Sequence, residues 1–316
     1  MLEPPPEFSD VVRDEASLRR FLHGLPGVDQ VGLERRAAAL GSRSLKRDAK
    51  WWAIDAAISM VDLTSLEGAD SPGKVRALAA KAVRPDAERP DTPRVAAVCV
   101  YPDLAGVAAE ALGGSGVGVA SVATAFPSGR SSRQVKLAEV RLAVESGASE
   151  VDVVLDRGAF LAGSYGAVFD EVRAVKEACG GAHLKVILET GELATADNVR
   201  RASWLALLAG ADFIKTSTGK VSPAATLPVT VLMLQAVRDW RDRSGRLCGV
   251  KPAGGIRSTK DALKYLVAVR EVAGPEWLTP GLFRFGASSL LGDLVMQRRT
   301  QRDGHYASAA NVAVDA

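Results

Sequence analysis

Two lysines stand at the ends of short apolar runs, where a charged side chain is costly. Lys215 lies in the segment Phe213–Thr218, and Lys251 closes the segment Leu247–Lys251. A buried ammonium group is tolerated only if it is paired or neutral. The like charges of two neighbouring lysines, together with desolvation, are expected to lower the pKa of one of them. A neutral amine at a strand end is a nucleophile that can form a Schiff base with a carbonyl carbon.

Two carboxylates offer partners for these lysines. Asp152 lies within the apolar run Glu150–Leu155, and Asp62 lies within the run Ile58–Thr64, so both need a polar partner. One reading is structural, with each carboxylate anchoring a lysine in an ordinary ion pair. The other is catalytic, with Asp152 relaying protons through water to the imine carbon. Cys99, also at a strand end, is interpreted as an apolar wall residue.

Glycine-rich turns follow the last two apolar runs. Gly254 and Gly255 allow the backbone to approach a ligand closely, and a helix is expected to begin near Ser289. The free N–H groups at a helix N-terminus bind phosphate, and Arg257 and Lys220 could add charge-assisted hydrogen bonds. These turns therefore predict a phosphorylated substrate, although glycines can also serve only to make tight turns.

The elements that must position these residues recur along the chain. Eight short runs rich in β-branched residues predict strands at Ile58–Thr64, Arg94–Tyr101, Val117–Phe126, Glu150–Leu155, His183–Thr190, Phe213–Thr218, Leu247–Lys251 and Leu282–Gly286. The runs recur at intervals close to the length of one strand–helix unit, about 30 residues.

Amphipathic helices are predicted between the strands. The segment Val135–Ser146 places Leu137, Val140 and Val144 on one buried stripe and Lys136 on the exposed face. Similar spacing predicts helices at Asp170–Ala178, Ala196–Leu208, Pro228–Trp240 and Thr259–Val272. Eight strand–helix units favour an α/β fold closed into a (β/α)₈ TIM barrel over an open doubly wound sheet. In such a barrel, catalysis occurs at the carboxyl ends of the strands.

Two segments lie outside these strand–helix units, one at each end of the chain. Residues 1–50 form an expected N-terminal helical extension, with helices at Glu15–Leu22 and Val31–Leu40. The barrel is assigned to residues 51–297. Residues 298–316, which are polar and rich in small side chains, are expected to form a mobile C-terminal tail.

Composition excludes several classes of function. Forty Lys and Arg residues against 37 Asp and Glu residues give a net charge of only +3, so a nucleic-acid partner is not expected. The longest apolar runs are far shorter than a membrane helix, and the acidic, Pro-rich start is unlike a secretion signal. The three cysteines and three histidines are scattered, which argues against disulfides, metal sites and a Ser-His-Asp triad. We therefore expect a cytoplasmic protein without a membrane partner.

Six blocks of the sequence resemble one enzyme family, that of deoxyribose-phosphate aldolase. They are Val61–Leu66, Ala96–Pro102, Glu150–Leu155, Asp212–Lys220, Lys251–Ser258 and Arg284–Leu291. The resemblance covers roughly residues 50–297, with the blocks in the family's order.

The resemblance implies a class I aldolase that works without a metal or other cofactor. Such an enzyme reversibly cleaves 2-deoxy-D-ribose 5-phosphate to D-glyceraldehyde 3-phosphate and acetaldehyde, in deoxyribonucleoside catabolism. The Schiff-base lysine corresponds to Lys215, and the second lysine, which favours its free amine, corresponds to Lys251. The proton-relay aspartates correspond to Asp152 and Asp62. The phosphate-binding positions correspond to Gly219, Lys220, Gly254, Gly255, Arg257, Gly286, Ser288 and Ser289.

Two features depart from the short members of the family. The first 50 or so residues resemble its longer members instead. Some members end in a tyrosine that assists proton transfer, and the tail tyrosine here, Tyr306, lies ten residues before the end. Two alternatives stay open: another phosphate-binding barrel enzyme, either a different lysine aldolase or an isomerase, and a catalytically silent sugar-phosphate sensor. Homo-oligomerisation is possible.

Overall fold

A ring of eight parallel strands forms the centre of the computed structural model, which describes residues 5–304. The strands are β1 Val61–Thr64, β2 Ala97–Val100, β3 Gly118–Ala123, β4 Glu150–Val154, β5 His183–Ile187, β6 Phe213–Lys215, β7 Gly249–Lys251 and β8 Phe285–Ala287. Consecutive strands from β1 to β7 pair with each other, and β8 pairs with β1. Isolated bridges from Val250 to Phe283 and from Ala253 to Gly286 complete the ring. The predicted TIM barrel is confirmed.

Helices cover the outside of this ring. They are α1 Glu15–Gly24, α2 Gln30–Gly41, α3 Arg47–Ser59, α4 Pro72–Val83, α5 Pro102–Leu112, α6 Arg133–Glu145, α7 Arg157–Leu161, α8 Tyr165–Cys179, α9 Ala196–Leu208, α10 Leu227–Ser244, α11 Thr259–Val272 and α12 Leu290–Asp303. Short 3₁₀ turns lie at Pro6–Phe8, Thr190–Glu192 and Pro275–Trp277. Within residues 5–304, no helix is long and apolar enough to cross a membrane.

Hydroxyl side chains fix where several barrel helices begin. A serine or threonine accepts a hydrogen bond from the backbone N–H three residues later, which satisfies a donor that the first turn leaves free. This arrangement occurs at Ser132, Thr195, Thr226 and Ser258, before helices α6, α9, α10 and α11. Ser258 therefore sets the direction in which the turn after β7 enters its helix.

The prediction for the start of the first strand was wrong. Ile58 and Ser59 end helix α3, and β1 begins only at Val61. Ala53, Ile54, Ala57 and Ile58 form one buried stripe on α3, at the spacing of a helix. The apolar run therefore continues from a helix into the strand, and composition alone does not mark the boundary.

The predicted exposure of Lys136 was also wrong. Lys136 lies on the buried face of α6, and its side chain is only 1% exposed. Helix α8 packs against α6 and brings Glu171 to 2.8 Å from the Lys136 Nζ. Because the partner comes from another helix, the helical pattern of α6 could not reveal this ion pair.

The N-terminal helices pack directly on the barrel. Helix α1 contacts α8 and α9, α2 contacts α10 and α11, and α3 contacts α11 and α12. Phe8 stacks on Trp240, with ring centroids 5.2 Å apart, and Phe21 packs edge-on against Trp204. The division expected at residue 50 falls within α3, so the extension continues into the barrel without a linker.

The last helix extends beyond the expected end of the barrel. Helix α12 continues to Asp303, so residues 298–303 are helical rather than part of a mobile tail. The reason is tertiary: Arg298 lies 2.6 Å from Asp55, and Arg299 lies 2.5 Å from Asp86. Tyr306 lies outside the described residues.

The glycine in β7 makes room for an aromatic ring inside the barrel. A Cβ at Gly249 would overlap the ring of Phe213, whereas a Cβ at Gly181 would meet nothing within 4 Å. We expect Gly249→Ala to lower the free energy of unfolding by about 1–3 kcal/mol, the usual cost of overpacking. Urea denaturation of both variants checks this, and equal stability of Gly249→Ala and Gly181→Ala would contradict it.

Candidate active site

The predicted catalytic side chains converge inside the carboxyl end of the barrel. The register of the sheet places Lys215 on β6 opposite Lys251 on β7, so both lysines face the same way. Asp152 projects inward from β4 and Asp62 from β1. The Nζ atoms of Lys215 and Lys251 each lie 2.7 Å from Oδ2 of Asp152. The Lys251 Nζ also lies 2.5 Å from Oδ2 of Asp62. The fold thus brings together four residues that are as much as 189 positions apart in sequence.

A second layer of charges, not predicted from the sequence, lies beneath this group. Lys185 on β5 forms an ion pair with Glu150 and lies 3.4 Å from Oδ1 of Asp152. Arg284 lies 2.6 Å from Asp62 and 2.8 Å from Glu150. The signal was present in the sequence, because Glu150 is two residues from Asp152 and therefore shares its face of β4.

The charges of the seven residues nearly balance. Within residues 5–304, this cluster contains four cations, Lys185, Lys215, Lys251 and Arg284, and three carboxylates, Asp62, Glu150 and Asp152. All seven are buried. With every group ionised, one positive charge is in excess, so the loss of one proton from a cation would leave the cluster neutral.

Electrostatics holds the carboxylates in their ionised form. Burial disfavours charge on Asp152, but Lys215, Lys251 and Lys185 outweigh it and hold the pKa of Asp152 well below its usual value. Burial likewise opposes ionisation of Asp62, and Lys251 and Arg284 lower the pKa of Asp62 instead. Both side chains are therefore carboxylates at neutral pH.

The cations differ in their partners and in their access to a cavity. Burial by itself would lower the pKa of Lys251, but Asp152 and Asp62 raise it well above its usual value. Lys185 and Arg284 also have raised pKa values, because neighbouring carboxylates outweigh the burial of each. Within residues 5–304, Lys215 pairs with Asp152 alone, which it shares with Lys251, and its side chain borders a cavity. Lys215 is therefore the cation of this cluster that a ligand in the cavity can reach.

The cavity beside Lys215 has a volume of about 400 Å³. Its lining includes all eight positions predicted to bind phosphate, namely Gly219, Lys220, Gly254, Gly255, Arg257, Gly286, Ser288 and Ser289. It also includes residues that the sequence analysis did not select, among them Ser65, Glu67, Lys74 and Thr218. Lys215 and the glycine-rich turns therefore face one space.

The glycines in this wall are required by the backbone. Gly219, Gly254 and Gly255 have φ values of 82°, 81° and 84°, a region that other residues rarely adopt. A Cβ at Gly254 would lie 2.8 Å from that of Ala224 and 3.1 Å from the Cα of Gly219. The turns after β6 and β7 can therefore approach each other only because glycine occupies these positions.

Backbone donors in this wall are available to a ligand. In the part of the chain that the structure describes, the N–H groups of Gly219, Gly255, Ser288 and Ser289 donate no hydrogen bond to another protein atom. Ser289 immediately precedes helix α12, whose dipole favours an anion. Lys220 spans the cavity mouth to Glu67, at 2.8 Å, and Arg257 is exposed beside it. Together these groups can bind a phosphate.

One further prediction concerns a residue near the site. Cys99 is fully buried against Leu66, Ala97, Ala120 and Val122, and burial raises the pKa of its thiol. This environment agrees with its interpretation as an apolar wall residue. Within residues 5–304, no group of three or more His, Cys, Asp and Glu side chains is arranged to hold a metal ion.

Comparisons with known proteins by family model, sequence and structure all find aldolases. The model of the DeoC/LacD family of aldolases matches residues 52–293. Deoxyribose-phosphate aldolase of Homo sapiens is 45% identical over 294 residues, which covers 89% of this chain and 92% of the human protein. The Mus musculus enzyme of the same name is 46% identical over the same shares. The tetrameric deoxyribose phosphate aldolase of Aeropyrum pernix is 28% identical, covers 84% of this chain and 97% of its own, and superposes with a TM-score of 0.61.

Removal of the buried guanidinium tests the charge cluster. We expect Arg284→Met to lower the free energy of unfolding by about 3–5 kcal/mol, because Asp62 and Glu150 would then be buried with an incomplete set of cations. Arg13→Met is the matched control, since Arg13 also contacts two aspartates but at the exposed surface. Surface ion pairs contribute little, so the control should not change stability measurably. Equal unfolding curves in guanidinium chloride for the two variants would contradict this assignment.

Proposed function

This chain belongs to the DeoC/LacD family of aldolases, and we propose that it reversibly cleaves 2-deoxy-D-ribose 5-phosphate through a Schiff base on Lys215. The products are D-glyceraldehyde 3-phosphate and acetaldehyde. One observation carries the proposal: Lys215 contacts the buried Asp152 at 2.7 Å and lines the same cavity as the phosphate-binding turns. The names of the human and mouse relatives support the choice of substrate.

The first step forms the covalent link. Lys215, as the free amine, attacks C1 of the open-chain sugar phosphate and forms a C–N bond. Asp152, through a water molecule, takes up the proton that Lys215 releases on becoming the free amine and returns it to the carbinolamine oxygen, which leaves as water. Lys251 stays protonated between Asp152 and Asp62 and so keeps the Asp152 carboxylate in place. The product of this step is a protonated imine.

The second step breaks the carbon–carbon bond. The C3 hydroxyl passes its proton to the water at Asp152, the C2–C3 bond breaks, and its electron pair moves into the imine to give an enamine, whose carbon later receives that proton. Glyceraldehyde 3-phosphate leaves with the new C3 carbonyl. Protonation of the enamine carbon and hydrolysis of the imine then release acetaldehyde and regenerate the amine. The protein supplies nucleophile, proton carrier and fixed charges for every step.

The phosphate site supplies binding energy away from the reacting atoms. The free N–H groups of Gly219, Gly255, Ser288 and Ser289, together with Lys220 and Arg257, would hold the substrate's phosphate. Gly254 and Gly286 bring the turns close enough to form that wall. A phosphate held there fixes C1 near Lys215, and this orientation favours attack.

We also propose a role in deoxyribonucleoside catabolism, because the proposed substrate is a deoxyribose phosphate. The proposed compartment is the cytoplasm. Association of several copies of the chain is proposed by analogy with the tetrameric Aeropyrum pernix relative. A role for Tyr306 in proton transfer remains part of the proposal as well.

Trapping with borohydride tests the Schiff base. Incubation with 2-deoxy-D-ribose 5-phosphate and sodium borohydride should add one substrate-derived adduct to Lys215, seen by intact-mass and peptide mass spectrometry. Lys215→Ala should lose both the adduct and turnover, because the nucleophile is gone.

Lys220→Met is the matched control for trapping. It removes a lysine from the same turn but leaves Lys215 in place, so the adduct should still form at a saturating substrate concentration. An unmodified wild-type mass would refute the Schiff base. Turnover by Lys215→Ala would favour an isomerase, and absence of any turnover by the wild type would favour a sugar-phosphate sensor.

The pH profile tests the role of Lys251. A fixed positive charge beside Lys215 disfavours the ammonium form of Lys215, so its removal should make a higher pH necessary to free the amine. We expect Lys251→Leu to lower kcat/KM at pH 7 by about tenfold or more and to shift the pH–rate profile to higher pH. Lys251→Arg keeps the charge and should leave the position of the profile unchanged. An identical profile for wild type and Lys251→Leu would contradict this role.

A further inference from the structure

A buried carboxylate outside the charge cluster holds the turn that follows Lys215. Glu189 is fully buried at the end of β5. Its Oε2 accepts a hydrogen bond from the Thr218 hydroxyl at 2.5 Å, and its two oxygens accept from the Thr218 N–H at 3.2 and 3.3 Å. Within residues 5–304, no lysine or arginine forms an ion pair with Glu189. The contacts of this carboxylate are therefore directed to one residue of the cavity wall.

The backbone at Glu189 is held in an unusual conformation. Its φ of 52° and ψ of 61° place a non-glycine residue in the left-handed region. That conformation is uncommon and carries strain, which persists only where the surroundings enforce it. Here it directs the side chain toward the turn after β6.

Thr218 connects the Glu189 carboxylate to the backbone on both sides of Gly219. Its hydroxyl donates to Glu189 and accepts a hydrogen bond from the Lys220 N–H at 3.1 Å. Gly219 lies between these two residues, so the direction of its free N–H is set by the Thr218 contacts on both sides. The Glu189 carboxylate thus fixes, through Thr218, the turn that would contact a phosphate.

Lys215 is held by backbone hydrogen bonds of the sheet rather than by the Glu189 side chain. The Leu188 N–H donates to the Lys215 carbonyl at 2.9 Å, and the Thr216 N–H donates to the Lys251 carbonyl at 3.0 Å. The Thr216 hydroxyl accepts from the Ala253 N–H at 3.0 Å. The sheet therefore positions the amine, whereas Glu189 positions only the residues from Thr218 onward.

From this arrangement we propose that Glu189 is a positioning residue for phosphate recognition, which acts through Thr218 on the N–H groups of the turn. The inference rests on the proposed function, because it assumes that the cavity receives a sugar phosphate. It predicts that loss of the Glu189 carboxylate weakens binding of the phosphate and leaves the chemical step at Lys215 intact.

Steady-state kinetics of Glu189→Gln tests the inference. The probes are 2-deoxy-D-ribose 5-phosphate, unphosphorylated 2-deoxy-D-ribose and inorganic phosphate as a competitive inhibitor. We expect KM for the phosphorylated sugar and Ki for phosphate each to rise about tenfold, the effect of losing a hydrogen bond to a charged group. We expect kcat for the phosphorylated sugar, and kcat/KM for the unphosphorylated sugar, to stay within about twofold of wild type.

Two further variants make the result specific. Glu192→Gln is the matched control, because Glu192 lies in the same turn but is exposed and pairs with Arg157. It should behave as wild type. Thr218→Val removes the hydroxyl that Glu189 holds and should reproduce the rise in KM. The double variant should show less than the sum of the two effects. Thr218→Val also provides the test if Glu189→Gln does not fold, as judged by circular dichroism.

The outcomes separate the two proposals. A wild type that cleaves the phosphorylated sugar, with Glu189→Gln showing an unchanged or lower KM, overturns the positioning role alone. An equal loss of kcat/KM on both sugars also overturns it, because the damage would then lie at Lys215. A wild type that neither cleaves the phosphorylated sugar nor binds phosphate overturns the proposed function and this inference with it.

Discussion

The site depends on one carboxylate that two ammonium groups share. Asp152 lies 2.7 Å from both Lys215 and Lys251, inside a barrel from which water is largely excluded. A carboxylate is stable there only because the lysines compensate for its desolvation, and the lysines are stable there only because of the carboxylates. The lower layer of Lys185, Glu150 and Arg284 extends the same compensation. With every group ionised the cluster carries one excess positive charge, and Lys215, the cation with the fewest carboxylate partners, is the one that we propose as the nucleophile.

The short strands are what make such a cluster possible. β6 and β7 contain three residues each, so each strand has only two positions that face the inside of the barrel. They are Phe213 and Lys215 on β6, and Gly249 and Lys251 on β7. Phe213 fills the lower layer, Lys215 occupies the upper one, and Gly249 opposite leaves space for the Phe213 ring. Lys185 and Arg284 lie over that ring, at 5.7 and 5.8 Å from its centroid. Apolar packing therefore positions the charged groups as much as the ion pairs do.

The second half of the site is made of backbone rather than side chains. Left-handed glycines allow the turns after β6 and β7 to meet, and the free N–H groups of Gly219 and Gly255 line the cavity together with those of Ser288 and Ser289. Such donors are fixed by the loop and lose little entropy when an anion binds. The Lys215 amine is held by the sheet and the proposed phosphate site by the loops, so substitutions can test the two proposed roles separately.

The sequence by itself predicted the eightfold strand–helix repeat and the group of Asp62, Asp152, Lys215 and Lys251, because each leaves a local signal. The full set of eight positions in the cavity wall came from the resemblance to a known family. Charges in apolar runs and glycines after strands are visible without coordinates. It did not predict that Lys136 is buried, that α3 reaches Ser59, or that Lys185, Glu150 and Arg284 complete the cluster. The end of α3 is hidden because one apolar run continues from the helix into β1. The burial of Lys136 and the lower layer of the cluster depend on partners from distant segments, such as Glu171 beside Lys136. Only the closed ring of strands decides which distant residues face each other, because strand register is a property of the whole barrel.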